Sequence, residues 1–295
     1  MTIQGVVQMS LLSQIVQYAI SGITSGSIYA IIGICWSVVY LITKVLNFTT
    51  GEFVMLGGML AWGLHAAGLG MFLAFLVAVA ATICIGVLLE RTTIRPVRFP
   101  SEMTYMMITI AAASVIKGII LLVWGSETRT IEPFFGNKVI NILGATLTSQ
   151  ALCVLVLVAV VTVGLSLFLS RTIFGKALRA SAINETGARL MGIDISRFRL
   201  FCFALAGGLG AITGIVITPI TFTGYNTGML TGLKGLVAAI VGGWTIPGTV
   251  AAALVLGLLE GFAAGFISAG LKDVLALLVM IIFLISMERW AYRRG

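Results

Sequence analysis

Apolar residues along this chain gather into long blocks, at about 12 to 42, 53 to 67, 70 to 89, 103 to 124, 150 to 170, 198 to 220, 234 to 268 and 273 to 287. Most approach or exceed the roughly 20 residues that carry a helix across about 30 Å of hydrocarbon. None shows the alternation of apolar and polar positions that marks a membrane barrel strand. The pattern predicts an all-α integral membrane protein, a polytopic helical bundle built from about eight apolar blocks, including broken or re-entrant helices.

The breaks are predicted at two places. In "VLNFTTGEFVMLGG", Asn47, Thr49, Thr50, Gly51 and Glu52 fall between the first and second blocks. In "TFTGYNTGMLTGLKGLVAAIVGGWTIPGTV", Lys234 follows a glycine-rich loop, and Pro247 splits a stretch too long for one span and short for two. Irregular backbone at membrane depth survives only where protein or a water-filled cavity satisfies its polar groups. A glycine pair near each break, Gly57 with Gly58 and Gly242 with Gly243, suggests a duplicated architecture around a central pathway.

Charge sets the expected orientation. Arg91, Arg95 and Arg98 cluster in one segment, and residues 171 to 199 hold six basic residues against Glu185 and Asp194. The C-terminal "ERWAYRRG" adds Arg289, Arg293 and Arg294 beside Trp290 and Tyr292. All three segments are expected to be cytoplasmic by the positive-inside rule. Residues 125 to 149, with balanced charge, then face outside, and the N-terminus falls on that side too. The first 13 residues lack Lys, Arg and a small-residue cleavage pattern, so the first apolar block is expected to be retained.

Composition narrows the function classes. The chain has 295 residues, 59% hydrophobic and 9% charged, where a soluble domain has about 25% charged residues. The net charge of +8 sits mostly between and after the spans, which accounts for it by topology and leaves no nucleic-acid partner to invoke. Cys35, Cys84, Cys153 and Cys202 share no close spacing and are expected to be buried packing residues, with neither disulfides nor metal. A single histidine, His65, near the end of a block and two aspartates at segment ends assemble no metal centre and no Ser-His-Asp arrangement. No phosphate-binding loop occurs, so no ATP hydrolysis, cofactor or catalytic residue is expected in this chain.

The ionisable residues in or near apolar blocks are Glu52, Lys117, Lys234 and Glu260. Each costs roughly 2.5 to 3.5 kcal/mol at a helix centre, so each calls for a pathway or a partner. Lys117, seven residues before Trp124, is expected to snorkel outward. Glu260 faces either a partner subunit or the pore. Glu52 and Lys234, one at each break, are expected to pair with each other across the broken helices, with a substrate contact as the other reading. Glycines at four-residue spacing (Gly22 with Gly26, Gly210 with Gly214, and Gly257, Gly261, Gly265) predict close helix packing.

The segment "RASAINETGARLMGID" interrupts this apolar chain with charges and small residues, and residues 182 to 191 read as a short helix with Ile183, Leu190 and Met191 on one stripe. On physics alone it is either a solvated loop that fixes orientation or a docking knob. Thr186, Gly187 and Ala188, followed after three residues by Gly192, resemble the EAA-x-x-x-G loop by which permease subunits of bacterial ABC importers contact their ATPases. The longer segment is similar to its version in LivH-type branched-chain amino acid permeases. That family usually has an acid where this chain has Thr186, with Glu185 one place earlier here, and Ala where this chain has Gly187.

The resemblance covers nearly the whole chain. "SGITSGSIYAIIGICWSVVY", "VLNFTTGEFVMLGG" and "GLKGLVAAIVGGWTIPGTVAAALVLGLLEG" resemble three further family segments, with Thr49 and Thr50 standing where the family has Ala-His. It implies a single permease domain in the bacterial inner membrane, with residues 171 to 199 as the cytoplasmic coupling loop. The implied partners are a LivM-like second permease in a heterodimer, two cytoplasmic ATP-binding subunits, and a periplasmic or lipid-anchored substrate-binding protein. Asn47, Thr50, Gly51, Glu52, Lys234 and Glu260 become candidates for the pathway or its central scaffold, and Glu185, Thr186, Gly187, Ala188 and Gly192 for the coupling loop. The substrate implied is a branched-chain or related amino acid. A stand-alone secondary transporter or channel remains the alternative, since broken helices with central charges suit that class as well.

Overall fold

The computed structural model describes residues 11–97, 101–136, 138–142, 144–268 and 270–271, together with 274, 277–278 and 281–282. Arg98, most of the last apolar block and the basic C-terminus lie outside the described residues. The described chain is a helical bundle with elements α1 (Leu11–Thr43), α2 (Thr49–Ala66), α3 (Met71–Leu89), α4 (Glu102–Trp124), α5 (Ser149–Arg171), α6 (Ile173–Ile183), α7 (Glu185–Leu190), α8 (Ile195–Thr221), α9 (Thr227–Val241) and α10 (Ile246–Phe266). A π-helical turn, Glu90–Ile94, extends α3. Outside the all-helical expectation, a short hairpin of β1 (Val139–Ile142) and β2 (Ala145–Thr148) joins α4 to α5, pairing Val139 with Thr148 and Ile142 with Ala145. Among the described residues, six helices are long and apolar enough to cross a membrane: α1, α3 with its π turn, α4, α5, α8 and α10.

Side-chain caps start most of these helices. Ser101 accepts from the Thr104 amide at α4, Thr148 from Ala151 at α5, and Thr245 from Gly248 at α10. Each satisfies a backbone N–H that the first turn leaves unpaired. The turn between α9 and α10 covers Gly242 to Thr245, ahead of Pro247, which sits in the first turn of α10. Proline costs nothing there, since that N–H has no helical partner anyway. The long apolar stretch is therefore two helices divided just before the proline.

The glycine stripes settle which helices touch. A side chain on Gly22 or Gly26 of α1 would strike the α10 backbone at Gly257, Leu258, Ala253 and Leu254, and one on Gly261 would strike Tyr18 and Gly22. α1 and α10 thus run antiparallel at backbone contact. Gly210 and Gly214 of α8 lie against Phe53 and Val54 of α2, and Gly57 of α2 lies against Ala211. The two glycine pairs do different jobs. Gly57 and Gly58 pack inside α2, whereas Gly242 and Gly243 form a turn in which Gly243 takes φ +63°.

Contacts between connections fix which ends share a side. Gln17 near the start of α1 exchanges hydrogen bonds with Thr146 of the hairpin, its Oε1 accepting from the Thr146 amide at 2.7 Å. Arg129 and Thr223 exchange backbone bonds at 2.7 and 2.8 Å, so the α8–α9 connection joins the same end. The basic segments around Arg91 and from Arg171 to Arg199 lie at the opposite ends of the spans they flank.

Candidate functional site

Both breaks begin a helix within the bundle. After α1, Lys44 takes φ 52° and the chain turns back into α2. Asn47, fully buried, holds this turn: its Oδ1 accepts from the Thr49 amide at 3.2 Å and from the Thr49 hydroxyl at 2.5 Å, while Thr50 donates to the Asn47 carbonyl at 2.8 Å. Thr109 of α4 donates to the Leu46 carbonyl at 3.0 Å, which places this connection well inside the ends of α4. Gly51 then meets α9, where any side chain would run into the Gly228 carbonyl and the Gly232 Cα. The starts of α2 and α9 are thereby locked together without side chains between them.

Lys234 and Glu52 do not pair, contrary to the expectation from sequence. Lys234 lies two residues beyond Gly232, about 200° around a helix of 3.6 residues per turn, so it faces away from α2. Its ammonium instead bonds Glu260 Oε1 of α10 at 2.9 Å and the Tyr29 hydroxyl of α1 at 2.9 Å, and Tyr29 donates to Glu260 Oε2 at 2.8 Å. All three residues are buried. The triad links α1, α9 and α10 and gives Glu260 a cation and a phenol as partners within the chain. Tyr29 escaped notice in the sequence. The available signal was a phenol inside an apolar block, which has to find a partner for its hydroxyl.

Glu52 lies elsewhere, on a cavity of about 250 Å³ lined by Trp36 of α1, Phe48 just before α2, Glu52 in its first turn, Ile110, Ser114 and Lys117 of α4, and Gly228, Gly232 and Leu233 of α9. Its Oε2 is buried and has no hydrogen-bond partner among the described residues. Lys117 lines the same cavity while its ammonium reaches toward the α8–α9 connection. Its ammonium bonds the Asn226 Oδ1 and lies 5.3 Å from the centre of the Tyr225 ring, because the α8–α9 connection sits beside α4. The chemistry on hand is one free carboxylate oxygen, one ammonium and an apolar wall. Among the described residues no group of three or more His, Cys, Asp or Glu side chains gathers to hold a metal.

The other candidate segment forms two short helices rather than one. Asn184 ends α6, and its Oδ1 caps α7 by accepting from the Gly187 amide at 2.9 Å. Gly192 ends α7 with φ +80°, and the Ile193 amide returns to the Ala188 carbonyl at 3.0 Å, a helix end that favours glycine. Asp194 then caps α8 through the Ser196 amide at 3.0 Å. Thr186 is exposed and Ala188 buried, while Ile183, Leu190 and Met191 stand 88%, 84% and 83% exposed.

Residues 18–284 match the family model of the branched-chain amino acid transport system permease component. The chain belongs to this family. The permease is 29% identical to the high-affinity branched-chain amino acid transport system permease protein BraD of Pseudomonas aeruginosa, over 91% of this chain and 92% of that one. It is 26% identical to LivH of Escherichia coli K12, over 92% and 93%, and 27% identical to a probable LivH of Methanocaldococcus jannaschii, over 82% and 81%. PsaBC from Streptococcus pneumoniae, solved in complex with Fab, shares the fold at TM-score 0.51 and 13% identity, covering 97% of this chain and 95% of that one.

As an ABC importer permease the chain resides in the inner membrane and is not itself an enzyme; the ATPase and substrate-binding functions belong to partner subunits. The alternative of a stand-alone transporter gives way to this reading. Of the four cysteines, Cys35 and Cys202 of the permease are buried as expected, Cys153 is half-buried, and Cys84 is exposed on the outer face of α3. Just past the Asp194 cap, Arg199 of α8 pairs at 2.9 Å with the fully buried Glu90 of the π turn. That pair ties the end of α3 to the segment that follows α7.

Proposed function

We propose that this permease, joined to a LivM-like second permease in a heterodimer, forms the translocation pathway for branched-chain or related amino acids. A periplasmic or lipid-anchored binding protein delivers the substrate, and two cytoplasmic ATP-binding subunits drive the cycle. The observation that carries the reading is the family match across nearly the entire membrane domain, with relatives named for branched-chain amino acid transport.

The chain is read as one transmembrane permease domain in which residues 171 to 199 form the coupling element. Glu185, Thr186, Gly187, Ala188 and Gly192 build a capped helical knob whose exposed Ile183, Leu190 and Met191 suit burial against an ATPase. Motion of the knob reaches the bundle through α8, which begins at Asp194, and through the Arg199–Glu90 pair. Asn47, Thr50 and Gly51 hold the start of α2, Glu52 faces the pathway, and Lys234 with Glu260 forms the rigid scaffold beside it.

Two measurements test the reading. Purification of the tagged chain from its native membrane is expected to bring down a second permease and two ATPases, and to lose the ATPases when residues 186 to 192 become a flexible linker. Gly192→Val is expected to keep the complex inserted while separating ATP hydrolysis from uptake. Wild-type uptake by that variant would refute the coupling role.

A further inference from the structure

We propose that the cavity between Glu52 and Lys117 is a station on the pathway that grips a zwitterionic α-amino acid with a short aliphatic side chain, its ammonium on Glu52 and its carboxylate on Lys117. This inference rests on the import reading and gives it a substrate class and a place.

Glu52 carries the first half of the argument. It is only 4% exposed, and its Oε2 has no partner among the described residues. A buried carboxylate oxygen without a hydrogen bond is costly, more so in a membrane domain. The starts of α2 and α9 offset part of this cost. Glu52 lies in the first turn of α2, and its Oε2 sits where a Cβ on Gly228, the second residue of α9, would be 2.8 Å away. Carboxylates are stabilised at helix N-termini by the helix dipole. The dipole supplies no donor to the spare lone pairs, whereas an ammonium with three N–H donors does.

Lys117 carries the second half. It lines the same cavity as Glu52. Asn226 takes one of its three donors and the Tyr225 face steadies the charge, which leaves N–H donors for a carboxylate. The wall between these groups is Trp36, Phe48, Ile110 and Leu233, with Trp36 held by its Nε1 donating to the Gly232 carbonyl at 3.1 Å. An apolar wall with one group of each charge suits a solute charged at one end and aliphatic at the other. A cavity of about 250 Å³ suits a small solute rather than a drug-sized one.

The closed triad provides a contrast within the same bundle. There the cation, anion and phenol satisfy one another at 2.8 to 2.9 Å. The cavity has the same chemical groups with bonds left open.

The test uses membranes carrying the full importer with a reporter thiol, Ser114→Cys, on the cavity wall, and the same importer without it as the blank. Saturating valine is expected to slow thiol labelling about tenfold, equivalent to ~1.4 kcal/mol. Isobutylamine and isobutyrate, each with one of the two charges, are expected to give little protection. Glu52→Gln and Lys117→Met are each expected to abolish protection by valine while the complex still co-purifies; having both variants keeps the test open if one fails to assemble. Labelling that is indifferent to valine, protection that survives both variants, or equal protection by the singly charged analogues would overturn the site. ATP-driven valine uptake in the same vesicles separates the two ideas: uptake without protection defeats the site alone, and absence of uptake in the wild-type importer defeats the import reading.

Discussion

Two of the places in this bundle that bury ionisable groups differ in completeness: the Lys234 triad and the surroundings of Glu52. Around Lys234, every charge has a partner from this chain, and the three groups come from α1, α9 and α10, which already touch through glycine. Around Glu52, the neighbouring helices approach just as closely at Gly51 and Gly228, yet a carboxylate oxygen is left without a donor. The difference teaches that burial of charge alone does not mark a pathway. A satisfied cluster fixes where helices sit, whereas the unpartnered carboxylate of Glu52 borders a cavity with room for a solute.

The sharpest way to break this comparison is Lys234→Met, which strips the triad of its cation and leaves the Glu260 carboxylate buried. Removing one partner of a buried pair costs about 3 to 5 kcal/mol, so a large fall in the melting temperature of the purified complex is expected. The double change with Glu260→Met should recover much of that loss. Next in size, Gly257→Leu drives a side chain into the α1 backbone at Gly22 and Gly26. Overpacking of this kind costs about 1 to 3 kcal/mol and should again appear as a lower melting temperature.

Tyr29→Phe sharpens the comparison, since it removes the shared hydroxyl but leaves the 2.9 Å ion pair in place. A loss of about 1.5 to 3 kcal/mol is expected, as for a hydrogen bond to a charged group. The smallest stability effect belongs to Glu52→Gln. It breaks no hydrogen bond among the described residues, so the melting temperature should move by no more than the equivalent of about 1 kcal/mol, while ATP-driven uptake falls about tenfold. A large stability loss with uptake intact would place Glu52 in the scaffold with Lys234.

Much of the architecture was legible from the chain. The apolar blocks foretold the spans because crossing hydrocarbon demands length and leaves few alternatives for the backbone. The end of α7 was legible in part: the short helix expected up to residue 191 stops at Gly192, whose left-handed φ favours glycine. The candidate site was legible only in part. Glu52, Lys234 and Glu260 stood out by cost, but their pairing did not follow from cost.

The sequence by itself determined that this protein is a helical membrane permease, where its charges cluster, and which residues require an explanation at membrane depth. Only the tertiary structure decided which helix each charge faces. The spacing of Gly51, Gly228 and Gly232 brings α2 onto one face of α9, and the 3.6-residue period then turns Lys234 to the other. Tyr29, 205 residues away, became the third member of the triad because small residues let α1 lie against α10. Pairings between distant segments depend on how helices pack, and that information resides in contacts made by the whole bundle rather than in any local stretch of chain.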